Sequence, residues 1–222
     1  MIYNFQRLVE TVSPAFFVNE KLDSWEMLDW LNRTQERYIR LKYLNQNSFE
    51  ENVFRLSMVS DDLAKLIKTE VISSMQTPTH INYAKEIVVP DDFVAYIRSD
   101  SSISRIAPEV INNEKIGNVE INYDKIDNLI TTHNNKPILE APVITMTNSS
   151  IQTDRPSLLL IMDSYTTLKG FYLTYLRKPN KIEFNTECEL APYMHEDLVK
   201  LSVSMFLDEY KLKLAGGGKQ NA

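Results

Sequence analysis

Two amphipathic segments with helical periodicity, one near each end of the chain, enclose a middle region with strand patterns. The first, about residues 24–44, begins with the capping-box residues Asp23 and Glu26, and its apolar residues recur every three or four positions. The second, about 192–214, begins at Pro192 and is apolar over more than half of its circumference. Such a helix is buried on two sides, in a core or between subunits.

Segregation of helices and strands along the chain predicts an α+β fold with N-terminal helices, a central and C-terminal antiparallel sheet, and a C-terminal helix. We expect residues 1–76 to be helical, 84–180 to form mainly strands, and 1–215 to make a single domain. The Gly-rich end, 216–222, is expected to be a flexible tail. The strand candidates are 87–89, 93–97, 119–123, 143–147, 157–162 and 171–176, with 163–170 as a hairpin connection between the last two.

Composition and charge exclude several classes of protein. A chain of 222 residues with 43% hydrophobic residues is long enough to bury a core without disulfides or metals. The net charge of −6 argues against a protein whose main task is to neutralise DNA phosphates or to coat an anionic membrane. The sequence has no run of about 18 apolar residues and no basic segment followed by an apolar one at its start. We therefore expect no membrane partner and synthesis in the cytoplasm.

Residues that carry enzyme chemistry are few and scattered. Residues 1–215 contain only two glycines, Gly117 and Gly170, which are too few for a phosphate-binding loop. The three histidines have no zinc-ligand spacing. The single cysteine, Cys188, lies between two glutamates that raise its pKa and reduce its nucleophilicity. We expect no catalytic residue, no metal and no cofactor, and predict that the protein is not an enzyme.

Two alternatives rest on particular side chains. Asp61 and Asp62, together with a distant histidine, are compatible with a small metal-assisted hydrolase, although acids that begin a predicted element also act as caps. Arg33, Arg37 and Arg40 on the first long helix are a candidate DNA-binding face. Because acidic residues interleave with these arginines, a solvated face of salt bridges or a subunit contact is favoured over DNA binding.

Several stretches of the sequence resemble a known family of phage proteins. They are 28–39, 61–63, 89–93 and, most specifically, the closely spaced group 175–182, 188–190 and 195–199. In order and spacing they are similar to the short ring, or adaptor, proteins that lie between portal and tail in short-tailed bacteriophages, specifically crAss-like phages. The family tends to place a proline directly after the Cys-Glu-Leu of 188–190, whereas here Ala191 intervenes.

The resemblance implies a structural virion protein that forms a ring of about twelve copies in the neck, matching a twelve-fold portal. Its partners are then other copies of itself, the portal protein and neighbouring neck or tail rings, with phage DNA only as cargo in the channel. Because each subunit has a net negative charge, we expect the wall of the channel not to bind the phosphates of the passing DNA. The residues that we expect at the subunit or partner interface are Trp25, Trp30, Arg33, Arg37, Arg177, Lys178, His195 and Phe206.

Overall fold

The structure, a computed structural model, describes residues 1–13, 22–47, 63–78, 83–106, 110–126, 140–148, 156–186 and 188–217. It confirms the α+β fold, with helices at the N- and C-terminal ends of the chain and antiparallel sheets between them. The chain divides into two compact units where the sequence predicts one domain. The helical unit comprises Met1–Leu66 and Lys178–Ala222, and the sheet unit, Ile67–Arg177, is inserted in the sequence between them.

Among its described residues, the helical unit contains three α-helices. They are α1 (Ile2–Val12), α2 (Ser24–Asn47) and α3 (His195–Gly217), the last preceded by a 3₁₀ turn at Pro192–Met194. The backbone N–H of Asp23 donates to Glu26 Oε2 at 3.3 Å, which is half of the predicted capping box. Helix α3 extends into the expected tail as far as Gly217, because a glycine in a helix costs only about 1 kcal/mol relative to alanine. Residues 218–222 lie outside the described residues.

The ring of Phe206 joins the three helices in the core of this unit. Its centroid lies 6.0 Å from that of Phe5 on α1 and 5.7 Å from that of Trp30 on α2. Aromatic pairs at such separations contribute about 0.5–1.5 kcal/mol beyond the burial of their area. Phe206 is only 7% exposed, so it packs inside its own unit, which differs from the subunit contact expected from the sequence.

In the part of the sheet unit that the structure describes, nine strands form two sheets. The first sheet is antiparallel, in the order β1-β9-β4-β5, with β1 (Ile67–Ile72), β4 (Phe93–Arg105), β5 (Ile111–Gly117) and β9 (Thr166–Arg177). The second has the order β2-β3-β8-β7-β6, with β2 (Met75–Gln76), β3 (Ala84–Val88), β6 (Val119–Glu120), β7 (Val143–Asn148) and β8 (Pro156–Ile161). Only the β6–β7 pair is parallel among these strands.

Strand β8 shows how the sequence specifies the core. Leu158 and Leu160 lie in a cluster shared with Phe171 of β9, so the two sheets pack face to face. Leu159 and Ile161 lie in a second cluster on the other face of the same strand. A strand that is buried on both faces reads as an unbroken apolar run, and this is the pattern that predicts it.

Other elements differ from the prediction. Residues 67–76 form β1 and β2 instead of helix, because β1 pairs along its whole length with β9 and this pairing overrides a weak local preference. Residues 163–170 are not a hairpin connection, because β8 and β9 belong to different sheets and β9 already begins at Thr166. The expected half-buried strand at 119–123 is reduced to the exposed pair Val119–Glu120.

A hydrogen-bonded cluster lies where the chain enters and leaves the sheet unit. The hydroxyl of Tyr175 lies 2.7 Å from Asp92 Oδ1 and 3.1 Å from Glu70 Oε2. Lys68 Nζ forms ion pairs with the same two carboxylates, at 3.1 Å to Glu70 and 3.3 Å to Asp92. Burial, followed by the bond to Asp92, raises the pKa of Tyr175. The hydrogen bond to Glu70 is the main cause that raises the pKa of Lys68.

Replacing Tyr175 by phenylalanine is expected to make the stability of the protein less sensitive to alkaline pH. Because folding raises the pKa of Tyr175, the unfolded chain loses this proton first, and stability is lost as the pH rises above the ordinary tyrosine pKa of about 10. Folding also raises the pKa of Lys68, which has the same effect on stability. In the variant, the free energy of unfolding should therefore still decrease as the pH rises, but less steeply than in the wild type. Urea unfolding between about pH 9 and 11 measures the change, with Tyr123→Phe, at an exposed tyrosine, as the control. Equal slopes for wild type and Tyr175→Phe would contradict the prediction.

Candidate functional site

A loop closed by hydrogen bonds follows the last strand, and its described residues are 178–186 and 188–190. The carboxylate of Glu189 accepts hydrogen bonds from the backbone N–H of Asn180 at 2.8 Å and from its side-chain amide at 2.9 Å. Nε2 of His195 donates to the carbonyl of Leu190 at 2.9 Å, which fixes the far end of the loop to the start of α3. These hydrogen bonds hold the loop closed.

Asn32 on α2 holds the middle of the same loop. Its Nδ2 donates to the carbonyl of Ile182 at 3.0 Å, and its Oδ1 accepts from the backbone N–H of Ile182 at 2.7 Å. This reciprocal pair of bonds acts like one step of a strand ladder between a side chain and the loop backbone. Two residues further on, the ring of Phe184 meets that of Trp25 edge-to-face, with centroids 4.7 Å apart. Both rings remain exposed.

The loop and the starts of α1 and α3, with Leu28 of α2, line a cleft of about 530 Å³, which we call the aromatic cleft. Among the residues that line it are Tyr3, Leu28, Phe184, Cys188, Pro192 and His195. Apolar walls with a few polar groups are the usual form of a binding cleft in proteins. Exposed rings such as these are the side chains most enriched at the energetic centres of protein interfaces.

Cys188 contributes an apolar, weakly reactive thiol to the aromatic cleft. Burial is the main cause that raises its pKa, and the carboxylate of Glu189 adds to this effect. The direction expected from the sequence is therefore confirmed, although burial contributes more than the flanking charge. A thiol with a raised pKa is mostly protonated at neutral pH, which makes it a poor nucleophile.

A second exposed apolar surface lies at one end of the four-stranded sheet. Strand β4 ends at Arg105, which is paired with β5 on one side and with β9 on the other. The next backbone N–H, that of Ile106, donates to the carbonyl of Tyr165 at 3.3 Å. Ile106 is 78% exposed, and Tyr165 and Val110, which precedes the Ile111 that pairs with Arg105, are exposed as well. We call these three residues, Ile106, Val110 and Tyr165, the apolar tip.

A buried ion pair fixes the backbone that carries the apolar tip. Arg105 Nε lies 3.2 Å from Asp163 Oδ2, and the two side chains are 6% and 0% exposed. Arg105 Nε also donates to Thr166 Oγ1 at 3.0 Å, and Asp163 Oδ1 accepts from the backbone N–H of Tyr165 at 3.0 Å. Because both charges lose their hydration, such a pair is a weak source of net stability, and we interpret its role as holding the turn in one geometry.

The residues expected at an interface from the sequence lie in different places. Trp25, 66% exposed, contacts Phe184 beside the aromatic cleft, and His195 lines the cleft. Arg177 is the last residue of β9, and Lys178 is the first residue of the second segment of the helical unit. Neither residue is part of the aromatic cleft or of the apolar tip.

The remaining candidates lie on α2. Trp30 is half-buried against Phe206, and the guanidinium of Arg33 lies 5.6 Å from the centre of its ring. Arg33 also pairs with Asp29 at 2.7 Å, and Arg40 pairs with Glu36 at 2.9 Å. These pairs confirm the predicted i,i+4 salt bridges. Two of the three guanidinium groups of the candidate DNA-binding face thus already face carboxylates of their own helix.

Arg37, the third arginine of that face, is exposed and contacts α3. Its Nη1 lies 3.9 Å from the sulfur of Met205. A sulfur atom is a weak acceptor, so this contact holds the guanidinium less firmly than a carboxylate would. Arg37 is therefore the member of the arginine face that is best placed for an outside partner.

The residues of the metal-hydrolase alternative, Asp61 and Asp62, lie outside the described residues. In the part of the chain that the structure describes, no group of three or more His, Cys, Asp or Glu side chains is arranged to hold a metal ion. No helix within the described ranges is long and apolar enough to cross a membrane.

Sequence reasoning misses the apolar tip and most of the aromatic cleft. Tyr165 follows the turn residue Asp163, and Phe184 follows Glu183 in a segment without strand or helix periodicity. A large apolar residue within a turn is the one local signal that would have identified both surfaces, since turns are normally polar. The chain matches no protein-family model and no curated protein sequence.

Proposed function

We propose that this protein is a subunit of a ring in the neck of a short-tailed bacteriophage, between portal and tail. About twelve copies surround the channel through which the genome passes, and the protein works by fitting beside its neighbours instead of by catalysis. Its partners are further copies of itself, the portal protein and the adjoining rings, and its location is the virion neck.

The observation that carries the proposal is that one chain bears two unlike exposed apolar surfaces. The aromatic cleft is concave and belongs to the helical unit, whereas the apolar tip is built on strand ends of the sheet unit. Contiguous apolar patches larger than about a few hundred Å² on a monomeric protein usually mark a binding site. Two different patches favour a heterologous contact, and a heterologous contact that closes on itself generates a ring.

Charge on the surface supports the same proposal over a DNA-binding module. The chain has a net charge of −6, and Arg33 and Arg40 are paired with carboxylates one helical turn away. Phosphates would have to displace these carboxylates before they could bind the arginines. A weakly repulsive surface suits a channel in which DNA must slide.

Images of intact phage particles test the proposed function. We expect averaged density between portal and tail to contain a ring into which the helical unit and the sheet unit each fit, with the same number of copies as the portal or a simple fraction of it. Mass spectrometry of purified particles provides the control for composition. If mature particles lack this chain, or hold it outside the neck, the proposed function is wrong.

A further inference from the structure

We propose that the aromatic cleft binds an extended, proline-rich segment of a partner protein, with a basic residue beside the prolines. The inference concerns the cleft alone and does not depend on the ring function. Tyr3 and Phe184 both line the cleft, and the ring centroid of Trp25 lies 4.7 Å from that of Phe184, so the three rings belong to one surface. Exposed rings that line a groove are the surface on which proline-rich segments pack.

Two free hydrogen-bond donors accompany these rings. Among the described residues, neither the indole N–H of Trp25 nor the hydroxyl of Tyr3 has a hydrogen-bond partner, and the two side chains are 66% and 72% exposed. Proline has a carbonyl but no backbone N–H, so a run of prolines offers acceptors only. Both side chains can therefore donate to carbonyls of the bound segment while their rings contact its prolines.

The backbone beside the cleft is already hydrogen-bonded, which disfavours an added β-strand as the occupant. The N–H and the carbonyl of Ile182 both bond to the side chain of Asn32. The backbone N–H of Thr186 donates to the carbonyl of Glu183 at 3.3 Å, so these groups bond within the loop. An added strand needs a row of free backbone groups, whereas a polyproline helix forms no such ladder and is recognised by side chains.

Charge at the cleft favours a basic residue beside the prolines. The described residues that line the cleft include one carboxylate, that of Glu183, and no lysine or arginine. The faces of aromatic rings also attract cations, most strongly in the case of tryptophan. A lysine or arginine of the partner is therefore attracted to this surface, and the net charge of −6 acts in the same direction.

The two tryptophans of the chain provide a readout with an internal control. Trp25 lies beside the cleft, whereas Trp30 is half-buried against Phe206. The probe is a synthetic peptide of consecutive prolines that ends in arginine, added to the full chain labelled with nitrogen-15. By NMR, we expect the indole N–H signal of Trp25 to shift until it saturates and that of Trp30 to stay in place. Trp25→Phe removes one of the two signals and so assigns them.

Variants separate the contribution of the rings from that of the carboxylate. Trp25→Ala should weaken binding of the peptide about ten-fold or more, as for an aromatic residue at the centre of an interface. Glu183→Gln should weaken it about two- to five-fold, the size of an exposed ion pair, and should leave binding of an all-proline peptide unchanged. Val119→Ala, at an exposed apolar position of the sheet unit, is the matched control and should bind like the wild type. Titration calorimetry measures each affinity, and an unmoved Trp30 signal shows that a variant is folded.

Several results would overturn the proposal. They are the absence of a Trp25 shift at millimolar peptide, equal binding of a glycine-serine peptide that ends in arginine, or unchanged binding by Trp25→Ala. A shift caused by an amphipathic helical peptide and not by the proline peptide would assign the cleft to a helix. A shift that follows the protein concentration without any peptide would assign it to a second copy. None of these results decides whether the chain lies in the virion neck, which the images of particles test separately.

Discussion

Replacing Asp163 by alanine is expected to lower the free energy of unfolding by about 3–5 kcal/mol. The change removes one partner of an ion pair whose side chains are almost fully buried, and leaves the guanidinium of Arg105 without its carboxylate in a dry site. It also removes the acceptor of the Tyr165 backbone N–H, so the turn that carries part of the apolar tip loses a further bond. Urea unfolding followed by far-UV circular dichroism measures the loss.

The exposed pair on α2 supplies the control for that experiment. Asp29→Ala removes a carboxylate that lies 2.7 Å from Arg33 but is 56% exposed, and it should change the free energy of unfolding by less than about 1 kcal/mol. The double variant Arg105→Met with Asp163→Ala should recover part of the loss, because no buried charge is left unpaired. A loss for Asp163→Ala as small as that for Asp29→Ala would show that the pair is not buried as described.

Replacing Phe206 by alanine is expected to cost about 3–5 kcal/mol of stability. Its ring is buried among Phe5, Trp30 and Tyr210, so the variant leaves a cavity at the point where the three helices meet. The whole effect should appear in the isolated chain, without any partner. Thermal and urea unfolding of the purified protein provide the measurement.

Trp25→Ala is the matched comparison, because Trp25 was also expected at an interface and is exposed. Its main contact is the edge-to-face pair with Phe184, so the loss should stay below about 1.5 kcal/mol. The two aromatic residues should therefore behave differently, with Phe206 acting on folding and Trp25 on binding. A larger loss of stability for Trp25→Ala than for Phe206→Ala would contradict the described packing.

Elements with strong local patterns could be predicted from the sequence. Strand β8 is an unbroken apolar run, and α2 combines a capping box with apolar residues at helical spacing, so both were found in nearly the right place. Strand β1 could not be found in the same way, because its strand geometry comes from pairing with β9 about a hundred residues later. Strand β5 is largely polar and exposed, and its pairing with β4 leaves no periodic signal.

The candidate site could be predicted only in part, for a related reason. His195 and Trp25 are among the interface residues expected with the resemblance, and the structure places both at or beside the aromatic cleft. The cleft itself depends on hydrogen bonds between Asn32 and Ile182, which are 150 positions apart, and no local pattern encodes such a contact. The tip likewise depends on the pairing of Arg105 with Asp163, which only the folded sheet brings together.

Light scattering of the purified full chain, alone and with the portal protein of the same phage, measures most directly whether this protein functions by forming a ring. We expect a monomer in isolation, because the proposed ring assembles on the portal. On the portal we expect one closed species with about twelve copies. A discrete dimer in isolation that the portal leaves unchanged would contradict the ring.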